Sequence, residues 1–279
     1  MREINAEVIT GAVQEMVQEA NCHAGEDLVN ALERAAREEE SPVGRDIIDQ
    51  LLENIRTAAR EEIPICQDTG STVVFLDIGN EVCISGEIEA AVNRGVRRGY
   101  KEGYLRKSIV KDPFQRENTG DNTPAVIHTN FVAGDKLKIT VLPKGGGSEN
   151  MSRVKMLKPA DGQKGVRDFL LETIIDAGAN PCPPLVIGVG IGGTFEKAAL
   201  LAKRALTRKV GKKNEDKRLA ALERQWLCAV NNTGVGPQGL GGTVTALDLN
   251  IEIYPCHIAS LPVAINLNCH AVRHRKRIL

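Results

Sequence analysis

The sequence predicts a mixed α+β protein in which a helical N-terminal layer packs on a β-sheet core with glycine-rich loops. The first observation is an apolar period of three to four residues over roughly the first sixty positions, which is typical of amphipathic helices. The second is a change to short β-branched runs separated by glycine, proline and asparagine, which favours strands and turns. We therefore expect one domain over 1–279, with a helical layer at 1–60 and a mixed α/β core at 61–279.

Each element follows from its own pattern of apolar and turn-forming residues. Helical periodicity predicts helices at 5–20, 26–38, 42–58, 86–103, 162–177, 195–206 and 215–229. Apolar or alternating runs predict strands at 71–78, 125–128, 136–142, 243–254 and from 185 onwards. We expect the strands at 125–128 and 136–142 to be antiparallel neighbours, because they are consecutive in the sequence.

The composition excludes several classes of partner. Lysine and arginine number 36, as do aspartate and glutamate, so no net charge attracts nucleic acid or an anionic membrane. Aromatic residues make up 3% of the chain, too few for a platform that stacks single-stranded bases. No apolar run is long enough to span a bilayer, and the N-terminus lacks a signal-peptide pattern. The sequence predicts a soluble cytoplasmic protein that binds neither nucleic acid nor a membrane.

The cysteines are the residues in this sequence most able to bind a metal or to react. There are seven, an odd number, and without an export signal this favours reduced thiols or metal ligation over disulfides. Cys22 and Cys83 lie in patterned elements and are interpreted as structural. Cys228 lies close to the only tryptophan, and we expect it in the core. The others are flanked by prolines or turn residues: Cys66, Cys182, Cys256 and Cys269.

Dispersed thiolates on rigid loops can hold an iron–sulfur cluster. Three prolines within 180–184 predict a stiff extended loop for Cys182. A catalytic thiol usually stands alone with a base, and a structural zinc site usually arranges its ligands as close pairs. Neither pattern is present, but a zinc-stabilised interaction subunit stays open as an alternative.

Two glycine-rich stretches and a basic segment have more than one interpretation. Gly188, Gly190 and Gly193 match the dinucleotide-binding pattern, but a polar connector follows the next helix where a second strand is required. A nucleotide-binding oxidoreductase is therefore the minority alternative. The glycines at 145–147 predict either a loop that binds an anion or a flexible turn. The basic segment 273–277 predicts a solvated end or a contact with another subunit.

Four motifs occur in collinear order over most of the chain. They are Ile65-Cys-Gln-Asp-Thr-Gly70, Lys144-Gly-Gly-Gly-Ser-Glu-Asn150, Pro181-Cys-Pro-Pro184 with the following Gly188–Gly193, and Pro255–His274. Together they resemble the alpha subunit of the two-subunit class I fumarate hydratase and L-tartrate dehydratase family. The resemblance implies a 4Fe-4S cluster held by Cys66, Cys182 and Cys269, with one iron left open as a Lewis acid, and it makes Cys256 a bystander.

The resemblance also implies roles for residues near these cysteines. Adding water to a fumarate-like double bond requires that two carboxylates be neutralised and one proton be moved. Gln67 would contact the substrate, and Asp68 would both contact it and take part in proton transfer. Arg106 would clamp a carboxylate, Gly147 would offer a backbone N–H, and His257 would carry a proton or orient a group near the cluster. From the residues alone, Asp68 could instead cap a turn and His257 could be a core histidine.

The resemblance implies partners as well. A separate beta subunit would complete the active site, and alpha subunits would pair in an α2β2 heterotetramer. The implied reaction is the reversible hydration of fumarate to (S)-malate, and the alternative is the dehydration of L-tartrate to oxaloacetate.

Overall fold

The computed structural model describes all 279 residues and forms two compact units. The first unit contains Met1–Ala24, Ile55–Gly146 and Arg273–Leu279, and the second contains Gly25–Asn54 and Gly147–Val272. No helix combines the length and the apolar character needed to cross a membrane. The expected boundary at residue 60 does not coincide with the units, and the single domain over 1–279 stays a prediction.

The chain has eight α-helices and ten strands in mixed order, which confirms the predicted α+β class. The helices are α1 Ala6–Cys22, α2 Glu26–Glu38, α3 Pro42–Glu61, α4 Ile88–Glu102, α5 Gly146–Asn150, α6 Gly162–Ala177, α7 Phe195–Ala205 and α8 Lys217–Asn231. The strands are β1 Arg2–Asn5, β2 Ser71–Gly79, β3 Val82–Ser85, β4 Val126–Val132, β5 Leu137–Lys144, β6 Arg153–Leu157, β7 Leu185–Gly192, β8 Ala246–Tyr254, β9 Leu261–Asn268 and β10 Arg275–Ile278. The sequence did not predict α5, β1, β3, β6 and β10, because four or five residues are too few to show a period. It did not predict β9 either, because this strand is an apolar run without alternation.

The main sheet of the first unit has the strand order β10-β5-β2-β4, and β2 is one of its two interior strands. β2 pairs parallel with β4 on one side and antiparallel with β5 on the other. The predicted pairing of β4 with β5 is therefore wrong. β2 is buried along most of its length, so its backbone groups need partners on both sides. Helices α1 and α4 pack on this sheet and share one apolar core with it.

The second unit has the sheet order β6-β9-β7-β8. β9 lies between β6 and β7 and runs antiparallel to both, so the final apolar stretch of the sequence is an interior strand. β7 and β8 are parallel, and their connection runs through α7, a polar segment and α8. The polar segment covers the open edge of β8, because Asn214 Nδ2 donates to the carbonyl of Ile251 at 3.0 Å. A carboxylate oxygen of Glu223 accepts from the N–H of the same residue at 2.7 Å.

The glycines of the dinucleotide-like pattern are explained by packing. A methyl group on Gly188 would lie 2.0 Å from the carbonyl oxygen of Ala202, and one on Gly190 would lie 2.1 Å from that of Ala198. Both carbonyls belong to α7, so the missing side chains let this helix lie directly against β7. The pattern therefore has a structural cause that involves no nucleotide.

Helix α8 corrects the expectation for Cys228. Its buried residues are Leu219, Glu223, Trp226 and Val230, which confirms the tryptophan as core, but Cys228 is exposed. Two residues correspond to roughly 200° around a helix, so Cys228 points away from the face that Trp226 buries.

Gly190→Ala should destabilise the protein by about 3 kcal/mol, because the added methyl group meets the backbone of α7. Gly11→Ala is the matched control. Gly11 lies inside α1 with no atom within 4 Å of the added methyl group, so this change should stabilise the protein by roughly 0.5–1 kcal/mol. Urea unfolding of both variants measures the difference, and an unchanged midpoint for Gly190→Ala would contradict the packing explanation.

Candidate active site

Cys182 and Cys269 lie at the same end of the sheet in the second unit. Cys182 precedes β7 and Cys269 follows β9, and the antiparallel register of these strands places Val186 opposite Asn268. The backbone N–H of His270 donates to the carbonyl oxygen of Cys182 at 3.3 Å. Its ring Nδ1 lies 3.1 Å from the same oxygen. The two cysteine-bearing loops are therefore in direct contact.

The Cys182 loop is a turn, so the predicted extended loop is wrong. Cys182 has a φ of 57°, in the left-handed region, and its N–H donates to the carbonyl of Ala179 at 2.9 Å. A residue before proline favours an extended backbone, but here the hydrogen bonds of the folded loop outweigh that preference. The Cys182 side chain is exposed and that of Cys269 is half-buried.

Gly147 lies beside the same turn. It is exposed near the start of α5, and a methyl group on it would lie 3.2 Å from the carbonyl oxygen of Asn180. The second unit therefore brings Gly147 close to the Cys182 loop.

His257 lies at the other end of this sheet. It is in the loop that joins β8 to β9, two strands that lie on either side of β7, and it lines an exposed groove of about 460 Å³ together with Trp226 and Ile253. The eight residues of β9 span about 25 Å and separate this loop from Cys269. His257 therefore lies away from Cys182 and Cys269, contrary to its expected location near the cluster, because its loop precedes β9 whereas Cys269 follows β9.

In the first unit, the loop before β2 carries Cys66, Gln67 and Asp68. Gln67 is exposed, and the other two are half-buried. One Asp68 carboxylate oxygen accepts from the N–H of Gly70 at 3.0 Å. The other accepts from the N–H of Gly146 at 2.7 Å. Asp68 therefore caps its own turn and joins the Cys66 loop to the glycines after β5, so one N–H of the candidate anion loop is already used by a carboxylate of the chain.

Arg106 is held close to the same loop. Its carbonyl accepts from Thr69 Oγ1 at 2.8 Å, while its side chain is exposed. The buried Asn122 links the two segments a second time, since its Nδ2 donates to Gly70 O at 3.1 Å and its Oδ1 accepts from Ser108 N at 2.7 Å. The first unit therefore brings Arg106 together with Gln67, Asp68 and Cys66.

Two buried side chains, which the sequence analysis did not single out, hydrogen-bond to the backbone of the Cys66 loop. Arg273 is 1% exposed, and its Nη1 donates to the carbonyl of Asp68 at 2.7 Å and to Asn21 Oδ1 at 3.2 Å. The prediction of a solvated basic segment is wrong for this residue. The Tyr100 hydroxyl lies 2.7 Å from Thr69 O, and burial raises the pKa of this hydroxyl, which keeps it a neutral donor. The basic segment 273–277 gave no signal that its first residue is buried, and nothing in the sequence singled out Tyr100.

A third missed residue, Glu39, holds the glycine-rich segment that precedes β8. The residue is buried, and its carboxylate accepts from the N–H groups of Thr243 at 3.0 Å, Val244 at 2.8 Å and Ser41 at 2.8 Å. Burial by itself would raise the pKa of Glu39, but the hydrogen bonds from Thr243, Ser41 and Val244 outweigh burial and hold this pKa below its usual value. An ionised Glu39 therefore fixes one end of that segment.

The thiols of Cys66, Cys182 and Cys269 are of the chemical type that binds an iron–sulfur group. All seven cysteines are free thiols. Cysteine thiolates are the usual ligands of such clusters. Within the second unit Cys182 and Cys269 lie on loops in contact, and within the first unit Cys66 lies on an ordered loop. The structure contains no group of three or more histidine, cysteine, aspartate or glutamate side chains arranged to hold a metal ion.

The fold and these loops define a mixed α+β protein in which four of the seven free cysteines, Cys66, Cys182, Cys256 and Cys269, lie on loops next to strands. The family model described as Fumarate hydratase (Fumerase) matches residues 10–278. The chain is 44% identical over 278 residues to the putative L(+)-tartrate dehydratase subunit alpha of Methanocaldococcus jannaschii, with 97% of each chain covered. It is 33% identical over 258 residues to the L(+)-tartrate dehydratase subunit alpha of Escherichia coli strain UTI89, with 91% of this chain and 84% of that one covered. The chain belongs to the fumarate hydratase family of hydro-lyases, which confirms the resemblance seen in the sequence.

Glu39→Gln should destabilise the protein by about 2–3 kcal/mol near neutral pH, because an amide nitrogen would face backbone N–H donors. Since the pKa of Glu39 is lowered by folding, its contribution is present above the unfolded-state pKa of about 4.3 and is lost as the pH falls through the lower folded-state value. The stability difference between wild type and variant should therefore narrow below about pH 4. Thermal unfolding from pH 3 to 7 measures it. Glu40→Gln, at the exposed neighbouring position, should change stability little at any pH.

Proposed function

We propose that this chain is the cluster-bearing alpha subunit of an iron–sulfur hydro-lyase acting on a small dicarboxylate. The observation that carries the proposal is the contact between the loops of Cys182 and Cys269, in a chain of the fumarate hydratase family. Cys66, Cys182 and Cys269 would hold a 4Fe-4S cluster. When bound, the cluster would supply a Lewis acid that polarises an oxygen of the substrate.

The chain's own residues would bind and orient the substrate. Arg106 has an exposed guanidinium, whose planar set of donors suits a carboxylate. Gln67 is exposed next to Cys66 and would donate or accept a hydrogen bond. Gly147 is exposed and would lend its backbone N–H.

Asp68 would take part in proton transfer. Each of its carboxylate oxygens accepts one backbone N–H and keeps a second lone pair, and the side chain is half-buried. The same hydrogen bonds that cap the turn would then hold the carboxylate in one orientation, so the two interpretations of Asp68 are compatible. His257 is left out of the proposed proton path because it lies at the opposite end of the sheet from Cys182 and Cys269.

We propose the reversible hydration of fumarate to (S)-malate as the reaction, since the matching family model is described as fumarate hydratase. The second candidate is the dehydration of L(+)-tartrate, which the names of the two relatives favour. Both relatives are named as alpha subunits, which supports a separate beta subunit as partner. We propose an α2β2 assembly for the complex, as the resemblance in the sequence implies.

Cys182→Ser should abolish cluster binding. Anaerobically reconstituted wild type should contain about four iron and about four sulfide per chain. The serine variant should contain little of either, because one of three proposed thiolates is missing. Cys228→Ser is the matched control, since this thiol is exposed on α8 and belongs to no proposed ligand set. Full iron and sulfide in Cys182→Ser would remove it from the ligand set, and zinc without sulfide in the wild type would favour a structural zinc protein.

The choice of substrate is tested on the complex. The chain should be co-expressed with the beta subunit, purified anaerobically and assayed with fumarate, (S)-malate and L(+)-tartrate. We expect kcat/KM for fumarate to exceed that for L(+)-tartrate by at least about tenfold, a factor that a few substrate contacts can supply. The reverse ratio would establish the tartrate reaction, and activity on neither would refute the proposal.

A further inference from the structure

Gln238 lies where the loops of Cys182 and Cys269 meet. Its backbone N–H donates to the carbonyl oxygen of Pro183 at 2.9 Å. Its side-chain Nε2 donates to the same oxygen at 2.7 Å and lies 3.3 Å from His270 Nδ1. Pro183 follows Cys182 directly, and His270 follows Cys269 directly. One half-buried glutamine therefore contacts the residue after each of two proposed cluster ligands.

The imidazole of His270 takes part in this junction in either neutral form. Its Nδ1 faces Cys182 O at 3.1 Å and Gln238 Nε2 at 3.3 Å. With a proton, Nδ1 donates to the carbonyl of Cys182, and without one it accepts from the glutamine amide. In both cases the backbone N–H of His270 donates to Cys182 O, so the loops stay joined, and the Gln238 amide donates to Pro183 O. The form without a proton on Nδ1 also accepts from this amide, and Gln238 then bridges the two loops.

The backbone of Gln238 is fixed in an unusual conformation. Its φ and ψ are 52° and 17°, in the left-handed region that favours glycine or asparagine. The surrounding turn enforces it: Gly236 N donates to Thr245 Oγ1 at 3.0 Å and Gly239 N donates to Gly236 O at 3.0 Å. Gly236 is closely packed as well, since a methyl group there would lie 2.2 Å from the backbone of Gly241. These contacts hold the turn that places Gln238 against the Cys182 loop.

We propose that Gln238 is a positioning residue that fixes the spacing of the Cys182 and Cys269 loops for a bound cluster. The effect of Gln238 on a bound cluster rests on the proposed function, whereas its hydrogen bonds to the two loops are present in the structure itself. Groups that hold metal ligands in place control how tightly the metal site is retained and how uniform it is. Without the Gln238 amide, the two loops would keep only the bonds made by His270 and would separate more often.

The test compares Gln238→Met, which keeps the side-chain volume but has no donor, with Gln238→Glu, which keeps the shape but replaces the donor by an acceptor. Gln163→Met is the matched control, since Gln163 is exposed on α6 in the same unit. In the reconstituted proteins, an iron chelator should remove iron about tenfold faster from both Gln238 variants, the factor expected for one hydrogen bond of ordinary strength. The electron paramagnetic resonance spectrum of the reduced cluster should also broaden, a change that a loss of global stability alone would not cause.

A second measurement needs no cluster. In the metal-free proteins, amide hydrogen exchange at His270 reports how often its bond to Cys182 O opens, and it should be about tenfold faster in Gln238→Met than in wild type or Gln163→Met. Unchanged exchange together with unchanged iron release would overturn the proposal. If wild type bound no iron, the proposed function would fail, and the exchange experiment alone would still decide the role of Gln238.

If the Gln238→Met variant does not fold, hydrogen exchange at His270 is measured in Gln238→Gly instead. Glycine suits the left-handed backbone and removes the amide, so it separates backbone strain from loss of the hydrogen bonds. Faster exchange at His270 in this variant supports the amide as the cause, and wild-type exchange contradicts it.

Discussion

The antiparallel pairing of β7 with β9 is the constraint on which the proposed cluster site depends. In such a pair the start of one strand lies beside the end of the other. Cys182 and Cys269 are 87 residues apart in the sequence, yet this pairing alone places their loops side by side. The same pairing carries His257 to the far end of the sheet, so one feature of the topology selects which candidate residues can act together.

Polar groups inside the two units then fix the loops that the strands have positioned. In the first unit Asp68 binds two backbone N–H groups, and Arg273 binds the carbonyl of Asp68. In the second unit Glu39 anchors the segment that leads to β8, and Gln238 lies on the Cys182 turn. Buried polar groups need such partners to offset their lost hydration. Each of these bonds therefore stabilises the fold and orders a candidate functional loop at the same time.

The glycines serve two physical purposes in this chain. At Gly188 and Gly190 the absence of a side chain lets α7 pack against β7. Around Gln238 the glycines adopt positive φ values that other residues rarely take, and the resulting turn has one shape. Similar glycine-rich patterns in the sequence thus reflect helix packing in one case and loop geometry in the other, and neither requires a nucleotide.

Local patterns in the sequence determined the seven longer helices, most of the longer strands and the cysteines that lie on loops, because these depend on neighbouring residues and on apolar periodicity. Motif resemblance determined the family. The tertiary structure decided which strands pair, that β9 is an interior strand, that Arg273 is buried while Cys228 is exposed, and that Gln238 touches both cysteine loops. These outcomes depend on contacts between residues far apart in the sequence, and a single sequence carries no local signal for which distant partner satisfies a given backbone or side-chain group.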